Sequence, residues 1–458
     1  MRKSIAWYLA PLFILLLLVG FTNGYAADPI VFVHGSSGSA SQFESQAIRF
    51  MSNDYSIAQL AVYEHPTGSG APLPANQIDG LDEVIDEVLV KTGQMQVNLI
   101  AHSRGAGLCT YYLESSPERA AKVANYVALD SQSGLAAIAA LGLTGTPGNV
   151  RMLALWGEGD QTRAVTGATN IYIPEQAHIE IATSAESFIE MYKFFNGIEP
   201  KTSKIVPDSG QYVVIQGRAV YFPENVGAPG NLEIYQVKPA TGFRYSDIPV
   251  ATQEIDEGGE WGPFIVKKNM TYEFAFEHSN GEKHYFYREP FTRSDYFVRL
   301  NTSQPGAGIG RLLTKSPNHV DILISRDKEI WGDQGKNNDI LLVDGINVAT
   351  PEAAPRIKRL SGLFLLDWGY WTGSLFPEAY YGTSVLGESD LSAPIPIFHA
   401  QGFLSGLDYF MPASSPPDRT IKCRLTPRGK TKKTQSINVP NWPSDQVRIT
   451  VVFKDYTH

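Results

Sequence analysis

The sequence predicts a layered α/β domain with a mostly parallel sheet, followed by an all-β half built as sandwiches or barrels. Three observations predict this. Between Pro29 and about Pro200, short β-rich runs alternate with helical patterns, the order that builds a parallel sheet wrapped by helices. Two of these runs, "PIVFVHG" and "VNLIAHS", are continuously apolar, as strands covered on both faces are. From residue 205 onward helical periodicity almost vanishes, and short alternating runs separated by Gly, Pro, Asn and Asp turns replace it.

Each element follows in order. "PIVFVHG" is the first strand. Leu81, Val84, Ile85, Val88 and Leu89 then share one helix face, with Asp79 placed to cap its start. "VNLIAHS" is the next strand and turns at once into a helical pattern past Gly105 and Gly107. "VANYVALD", "RMLALWGEGD" and "TNIYIPEQAH" are three further strands, and Phe188, Met191, Tyr192 and Phe195 mark a closing helix. After "GIEPKTSK", the runs "YVVIQGRAVYF", "LEIYQV", "TYEFAFEH" and "RITVVFKDY" alternate as half-buried strands do. A change near "REPFTRSD" divides this half, so the expected units are 28–200, 201–295 and 296–458.

A chain of 458 residues exceeds what one core organises, and its 43% hydrophobic and 19% charged content is that of an ordinary globular protein. A net charge of -9 gives no reason to expect nucleic acid as a partner. Residues 1–27 read as a secretory signal: Arg2 and Lys3 precede an apolar run from about Ile5 to Phe21, then "NGYAAD" with small Gly24 and Ala26. The run approaches spanning length, so an uncleaved anchor is the alternative; both put the body outside the cytoplasm. Cys109 and Cys423 are the only cysteines, which excludes a disulfide framework, and Cys109 sits in a helical pattern as a small buried hydrophobe. Neither has a cysteine or histidine at ligand spacing, so no zinc site, and no cofactor of any kind, is expected.

The chemistry concentrates on a few turns. In "VNLIAHSRGAG" a buried strand bends sharply into a helix, and small residues two before and two after Ser103 permit that bend, which lifts the hydroxyl clear of the sheet. Serine is a poor nucleophile unless an imidazole takes its proton and a carboxylate holds that imidazole. Upstream, "VFVHGSSGSA" ends another strand with His34, Gly35 and Gly38, leaving the Ser36 N–H at the strand tip. Together with the N–H of Arg104 it would face a developing oxyanion. The base belongs on the loop after the last strand, and His178 occupies that place. His34 is committed to the oxyanion loop, His102 points away by strand alternation, and His65 and the remaining histidines suit solvated or packed roles. Two aspartates stand at strand ends on the same sheet edge. Asp160 follows the next-to-last strand, the usual place for the third member, and is the preferred acid; Asp130, one strand earlier, is the alternative. Glu158 reads as a solvated loop charge.

These residues resemble the α/β-hydrolase lipases. The "AHSRG" elbow is similar to that of the small minimal lipases of Bacillus. "VFVHGSSGSASQFESQAIRF", "SSPERAAKVA", "REPFTRSDY" and "EIWGDQG" resemble the Archaeoglobus-type two-domain lipase across nearly the whole chain after the leader. The resemblance implies Ser103 as nucleophile, His178 as base and the Ser36 and Arg104 amides as oxyanion donors. On the acid it divides: the archaeal pattern points to Asp130, the minimal lipases to Asp160. The archaeal type carries a long lid insert before the helix at Asp79, where this chain has only "EHPTGSGAPLPANQ", too short and Gly/Pro-rich for a helical lid. The resemblance also implies that the β half binds lipid or acyl chains. Within it, "SGLFLLDWGYWTGSLF" holds Phe364, Trp368, Tyr370, Trp371 and Phe376, either a core set or an aromatic surface for lipid. Lys422, Arg424, Arg428, Lys430, Lys432 and Lys433 read as a solvated hairpin, with contact to an anionic membrane or lipid-droplet interface as the sharper alternative.

The expected activity is that of an exported serine hydrolase of carboxylic esters, a lipase or carboxylesterase on acylglycerols or other acyl esters. The rivals are an extracellular polyester depolymerase and a non-catalytic surface protein that binds lipid or glycan.

Overall fold

The structure, a computed structural model, describes residues 27–67, 75–368, 386–429 and 433–456. The expected leader up to residue 26, residues 68–74 of the lid interval, Tyr370, Trp371, Phe376, Lys430 and Lys432 lie outside the described residues.

Six parallel strands form the first sheet: β1 (Ile30–Val33), β2 (Leu60–Tyr63), β3 (Val97–His102), β4 (Val123–Leu129), β5 (Arg151–Trp156) and β6 (Thr169–Tyr172), in the order β2-β1-β3-β4-β5-β6. Helices α1 (Glu44–Met51), α2 (Ala75–Thr92), α3 (Arg104–Ser115), α4 (Pro117–Ala121), α5 (Gln132–Ala140), α6 (Glu180–Thr183) and α7 (Ala185–Asn196) alternate with them. The sheet is covered on both faces, which is why β1 and β3 carry no polar alternation. Val31, Val33, Leu99 and Ala101 meet Leu81, Ile85, Leu108 and Tyr112 of α2 and α3. Ile30, Phe32 and Ile100 meet Phe43, Phe50, Phe188 and Met191 on the opposite side. Each such side chain contributes about 1.5–3 kcal/mol on burial. The strand order turns around at β1, so the loops after β1 and β3 leave a crevice between them at the carboxyl ends of the strands, where ligands bind in open α/β sheets. Helix α2 starts at Ala75, four residues before the expected cap; Asp79 lies inside it and pairs with Arg119 at 2.7 Å.

The β half contains β7 (Tyr212–Tyr221), β8 (Val226–Gly227), β9 (Gly230–Val237), β10 (Ala251–Ile255), β11 (Glu260–Lys267), β12 (Thr271–His278), β13 (Lys283–Arg288), β14 (Asp295–Thr302), β15 (Ile322–Arg326), β16 (Ile340–Val343), β17 (Ile346–Asn347), β18 (Gly362–Leu366), β19 (Leu404–Asp408), β20 (Thr420–Thr426), β21 (Gln435–Pro440) and β22 (Val447–Phe453). An eight-stranded sheet, β10-β9-β12-β13-β22-β15-β18-β19, runs through the whole half. A sheet of β11, β7 and β14, with β8 beside β7, and a second of β17, β16, β20 and β21 complete it. Most pairings are antiparallel, but β22 lies between β13 and β15 and runs parallel to both. Strand β14 begins at Asp295 and pairs with β7, so the first small sheet continues past residue 295. Among the described residues, no helix is long and apolar enough to cross a membrane.

Candidate active site

The loop after β1 and the turn after β3 are locked together by two glycines. A Cβ on Gly35 would lie 2.6 Å from His102 Nδ1, and one on Gly105 would lie 2.5 Å from the carbonyl oxygens of Val33 and His34. Only bare backbone lets these segments approach so closely. Ser103 itself sits at φ 49°, ψ -119°, a conformation that costs about 1–3 kcal/mol for a residue with a side chain. The turn is held there because Ser103 N–H donates to Leu129 O (3.1 Å) and the Ser131 hydroxyl donates to Ser103 O (2.8 Å).

Ser103 Oγ lies 3.1 Å from His178 Nε2, and His178 Nδ1 lies 2.7 Å from Asp130 Oδ2. A carboxylate can only accept, so it fixes the Nδ1–H tautomer and leaves Nε2 able to take the serine proton. Asp130 Oδ1 accepts from Gly157 N–H (3.1 Å) and pairs with Arg163 (3.0 Å). Burial pushes this carboxyl's pKa up, but the His178 bond, the Arg163 charge and the Gly157 amide outweigh it and hold it below the ordinary carboxylate value.

The acid preferred from strand order, Asp160, is not brought to the imidazole. It is exposed, and its Oδ1 accepts from Thr162 N–H (2.8 Å) and the Thr162 hydroxyl (2.7 Å). Its backbone carbonyl accepts from Arg163 Nε (2.8 Å), so the segment after β5 contributes Arg163 to the site in place of a carboxylate. Strand order fails here because β4 and β5 end side by side, and the loop after β5 turns outward at Gly159. Nor is Glu158 a solvated charge: it pairs with Arg356 (2.8 Å) and Arg359 (3.4 Å) of the β half.

Ser36 is exposed at the tip of the loop after β1, and its amide makes no backbone hydrogen bond among the described residues. Arg104 begins α3 directly after Ser103, so its amide belongs to the first turn of that helix. The other three histidines of this domain, His34, His65 and His102, are all buried. His102 does not point away: its Nε2 lies 2.8 Å from His178 O and its ring 4.6 Å from that of His178. His34 and His65 stack at 4.4 Å. Burial lowers the pKa of all three, that of His65 and of His102 to about 3.

Both ends of the β half grip the catalytic loops, an arrangement that sequence reasoning missed. In the turn after β7, Asn225 is 3% exposed at φ 57°, and its Nδ2 donates to Gly38 O (2.9 Å) and His65 O (3.0 Å). Arg218 and Arg299 pair with buried Glu64 at 2.9 and 2.8 Å, and Glu64 accepts from Ala40 N–H (2.9 Å) on the oxyanion loop. Burial would raise the Glu64 carboxyl, but the two guanidinium groups bring it to about 2. On the other side, fully buried Glu329 accepts from the amides of Ile179 and Glu180, the two residues after His178. Lys328 and Arg428 pair with Glu180, both at 2.5 Å, so Arg428 is a buried ion-pair member and not part of a solvated hairpin. The Phe403 ring lies parallel to that of His178, 6.3 Å away. Phe364 is core and Trp368 half-buried. Among the described residues, no group of three or more His, Cys, Asp and Glu side chains is arranged to hold a metal ion.

Family comparisons agree with this architecture. Residues 28–169 match the model described as alpha/beta hydrolase fold, residues 211–305 the lipase C-terminal domain, and residues 308–457 a further model described only as a C-terminal domain. Similar solved structures include a protein from Listeria innocua (14% identity, TM-score 0.30, covering 39% of this chain and 97% of that one). Aspergillus fumigatus lipase B matches at 9% identity and TM-score 0.33, over 40% of this chain and 55% of its own. The phospholipase PlaB of Legionella pneumophila matches at 10% and 0.28, over 60% and 93%. These three are too distant to carry a functional argument. The family matches, by contrast, identify the chain as an α/β hydrolase of the lipase and esterase type with a C-terminal β region, a carboxylic ester hydrolase.

Proposed function

We propose that this hydrolase cleaves acyl esters through a covalent acyl-enzyme, with Ser103 as nucleophile, His178 as base and Asp130, not Asp160, as the orienting acid. The observation that carries the proposal is the continuous hydrogen-bonded run from Ser103 Oγ through both nitrogens of His178 to a buried carboxylate. Ser103 attacks the ester carbonyl while His178 Nε2 takes its proton; the same nitrogen returns that proton to the leaving alkoxide. Water then repeats the sequence on the acyl-enzyme. The oxyanion of each tetrahedral state is held by the amides of Ser36 and Arg104, a donor type whose loss costs about 100- to 1,000-fold in rate. The substrates are acylglycerols or other acyl esters, the protein is exported by its N-terminal leader, and the β half meets lipid or a lipid surface.

The test is direct. Wild-type protein is expected to hydrolyse p-nitrophenyl acyl esters and to be labelled by a serine-reactive phosphonate, and Ser103→Ala to lose both while melting as a folded protein. Retained turnover in Ser103→Ala refutes the assignment. Release of soluble acids from a polyester film with triglyceride untouched moves the substrate class to polymers.

A further inference from the structure

Two rings lie beside the catalytic imidazole. His102, 4.6 Å from His178 and 2% exposed, belongs to the catalytic domain. Phe403 comes from the β half; its ring centre is 6.3 Å away and its plane lies within 10° of the imidazole plane. It is only half-buried, and Gln401 and Gly402 before it are exposed. Of the two rings, Phe403 is therefore the one that a molecule arriving from solvent meets. Nor is it core. Leu404, the next residue, packs on the cluster of Phe364 and Phe398, whereas Phe403 joins none of the hydrophobic clusters among the described residues.

Phe403 is also held in a backbone conformation that suits glycine. Its φ is 64°, in the left-handed region that bulky side chains avoid. Gly402, directly before it, would adopt that region freely, yet its φ is not positive. The conformation is imposed by neighbours. The N–H groups of Ser361 and Gly362 donate to Phe403 O at 2.9 and 3.2 Å. The Lys358 ammonium donates to the carbonyl of His399, which ends α8 (Pro396–His399), and to that of Gln401 (2.5 Å). Arg356 and Arg359, flanking Lys358 in sequence, pair with Glu158, and the residue before Glu158 is Gly157, whose amide binds Asp130. One connected set of contacts thus ties the loop of Phe403 to the loop beside the orienting carboxylate. Strain held next to a reactive group, on a side chain the core does not use, points to a role in what that group meets.

The chemistry says which part of an ester lies there. His178 Nε2 has to reach both Ser103 Oγ and the oxygen of the departing alkoxide, so the alcohol part of a bound ester runs along the imidazole. The carbonyl oxygen points instead to the Ser36 and Arg104 amides, and the acyl chain leaves the reacting carbon on a third side. We propose that Phe403 is a specificity-determining residue: its ring is the wall against which the alcohol part lies, and it selects esters whose alcohol has an apolar face of several carbons, alkyl or aryl, over esters of methanol. The ring offers such an alcohol apolar contact that a methyl group is too small to use.

This assignment rests on the ester-hydrolase reading above and adds to the reaction site a residue of the β half. The test measures kcat/KM of the full-length protein on methyl butanoate, hexyl butanoate and methyl octanoate, so that the alcohol and the acyl chain are varied separately. Wild type is compared with Phe403→Asn and Phe403→Ala. Asn tolerates the left-handed backbone, whereas Ala is strained there as Phe is, so the pair separates loss of the ring from relaxation of the loop. In both variants the hexyl-to-methyl ratio is expected to fall about tenfold, while the octanoate-to-butanoate ratio stays within about twofold. Both are expected to melt within a few degrees of wild type. An unchanged hexyl-to-methyl ratio overturns the proposal, whether activity on the three esters holds or falls together. So does an acyl ratio that falls as far, or a marked drop in melting temperature, the mark of a packing residue. Turnover by wild type that Ser103→Ala abolishes keeps the two readings apart: with it, only the role of Phe403 is at stake. If wild type hydrolyses none of the three esters, the catalytic reading itself fails, and this proposal falls with it.

Discussion

Replacing Asp130 by Asn changes one atom and should nearly silence the enzyme. Asp130 Oδ1 is bound by two donors, Gly157 N–H and Arg163, so an amide at this position keeps its oxygen there. Its NH2 must then occupy the place of Oδ2, 2.7 Å from His178 Nδ1. Two donors cannot share that contact. The imidazole proton therefore moves to Nε2, where it faces Ser103 Oγ and removes the acceptor that the serine proton needs. The expected loss in kcat is on the order of 10,000-fold, about 5.5 kcal/mol on the barrier. Stability should change by less than about 2 kcal/mol, since Gly157 and Arg163 keep their acceptor. The matched control is Asp160→Asn: the side chain is exposed and keeps an oxygen for Thr162, so rate and stability should stay within roughly twofold and ~0.5 kcal/mol of wild type. Both variants are read by kcat/KM on p-nitrophenyl butyrate near neutral pH, normalised by active-site titration, with thermal unfolding alongside. An Asp130→Asn enzyme that retains more than about a tenth of its activity, or an Asp160→Asn enzyme that loses as much, would falsify the tautomer reasoning.

Further outcomes are expected from the contacts around the site. Asn225→Asp puts a carboxylate against the carbonyls of Gly38 and His65, displaces the oxyanion loop, and should lower kcat about tenfold to a hundredfold with a smaller effect on KM; equal changes in both parameters would count against a positioning role. Glu329→Gln leaves one oxygen for two amides and removes a buried charge beside Arg428, and should destabilise by about 1–3 kcal/mol in denaturant unfolding while lowering kcat. Gly105→Ala drives a methyl into two backbone carbonyls and should cost about 1–3 kcal/mol or more; a variant as stable as wild type would show that the β1 and β3 tips are not locked. His65 stays neutral when folded down to about pH 3 but titrates near 6.5 when unfolded, so between these values the unfolded state binds the extra proton and stability rises with pH. His65→Gln should flatten the stability-versus-pH slope between pH 4 and 6 by about 1.4 kcal/mol per unit, measured by urea unfolding at several pH values.

What could be read from the sequence is what is local. The Ser103 turn announces itself within seven residues, because a buried strand, small flanking residues and a helix must coincide, and His178 follows from the position of the last strand. Asp130 and Asp160 could not be separated that way, since both close strands on the same edge. What separates them is remote: Gly157 and Arg163 reach Asp130 from 27 and 33 positions away, while Thr162 satisfies Asp160 from two. His102 was misread because strand alternation stops at the turn, where the backbone of Ser103 reverses. In the β half, alternation marks strands but is blind to partners, so nothing local reveals that β22 enters between β13 and β15. Asn225 and Glu329 give equally little away: one is a turn residue, the other an acid before an apolar pair, and each gains meaning only from the loop it touches.

The insertion of β22 orders events during synthesis. Strands β13 and β15 are translated more than a hundred residues ahead of residues 447–453, yet neither has its neighbour on that side until those residues arrive. The half-built sheet must therefore wait with two unsatisfied rims until the last strand of the chain has been made.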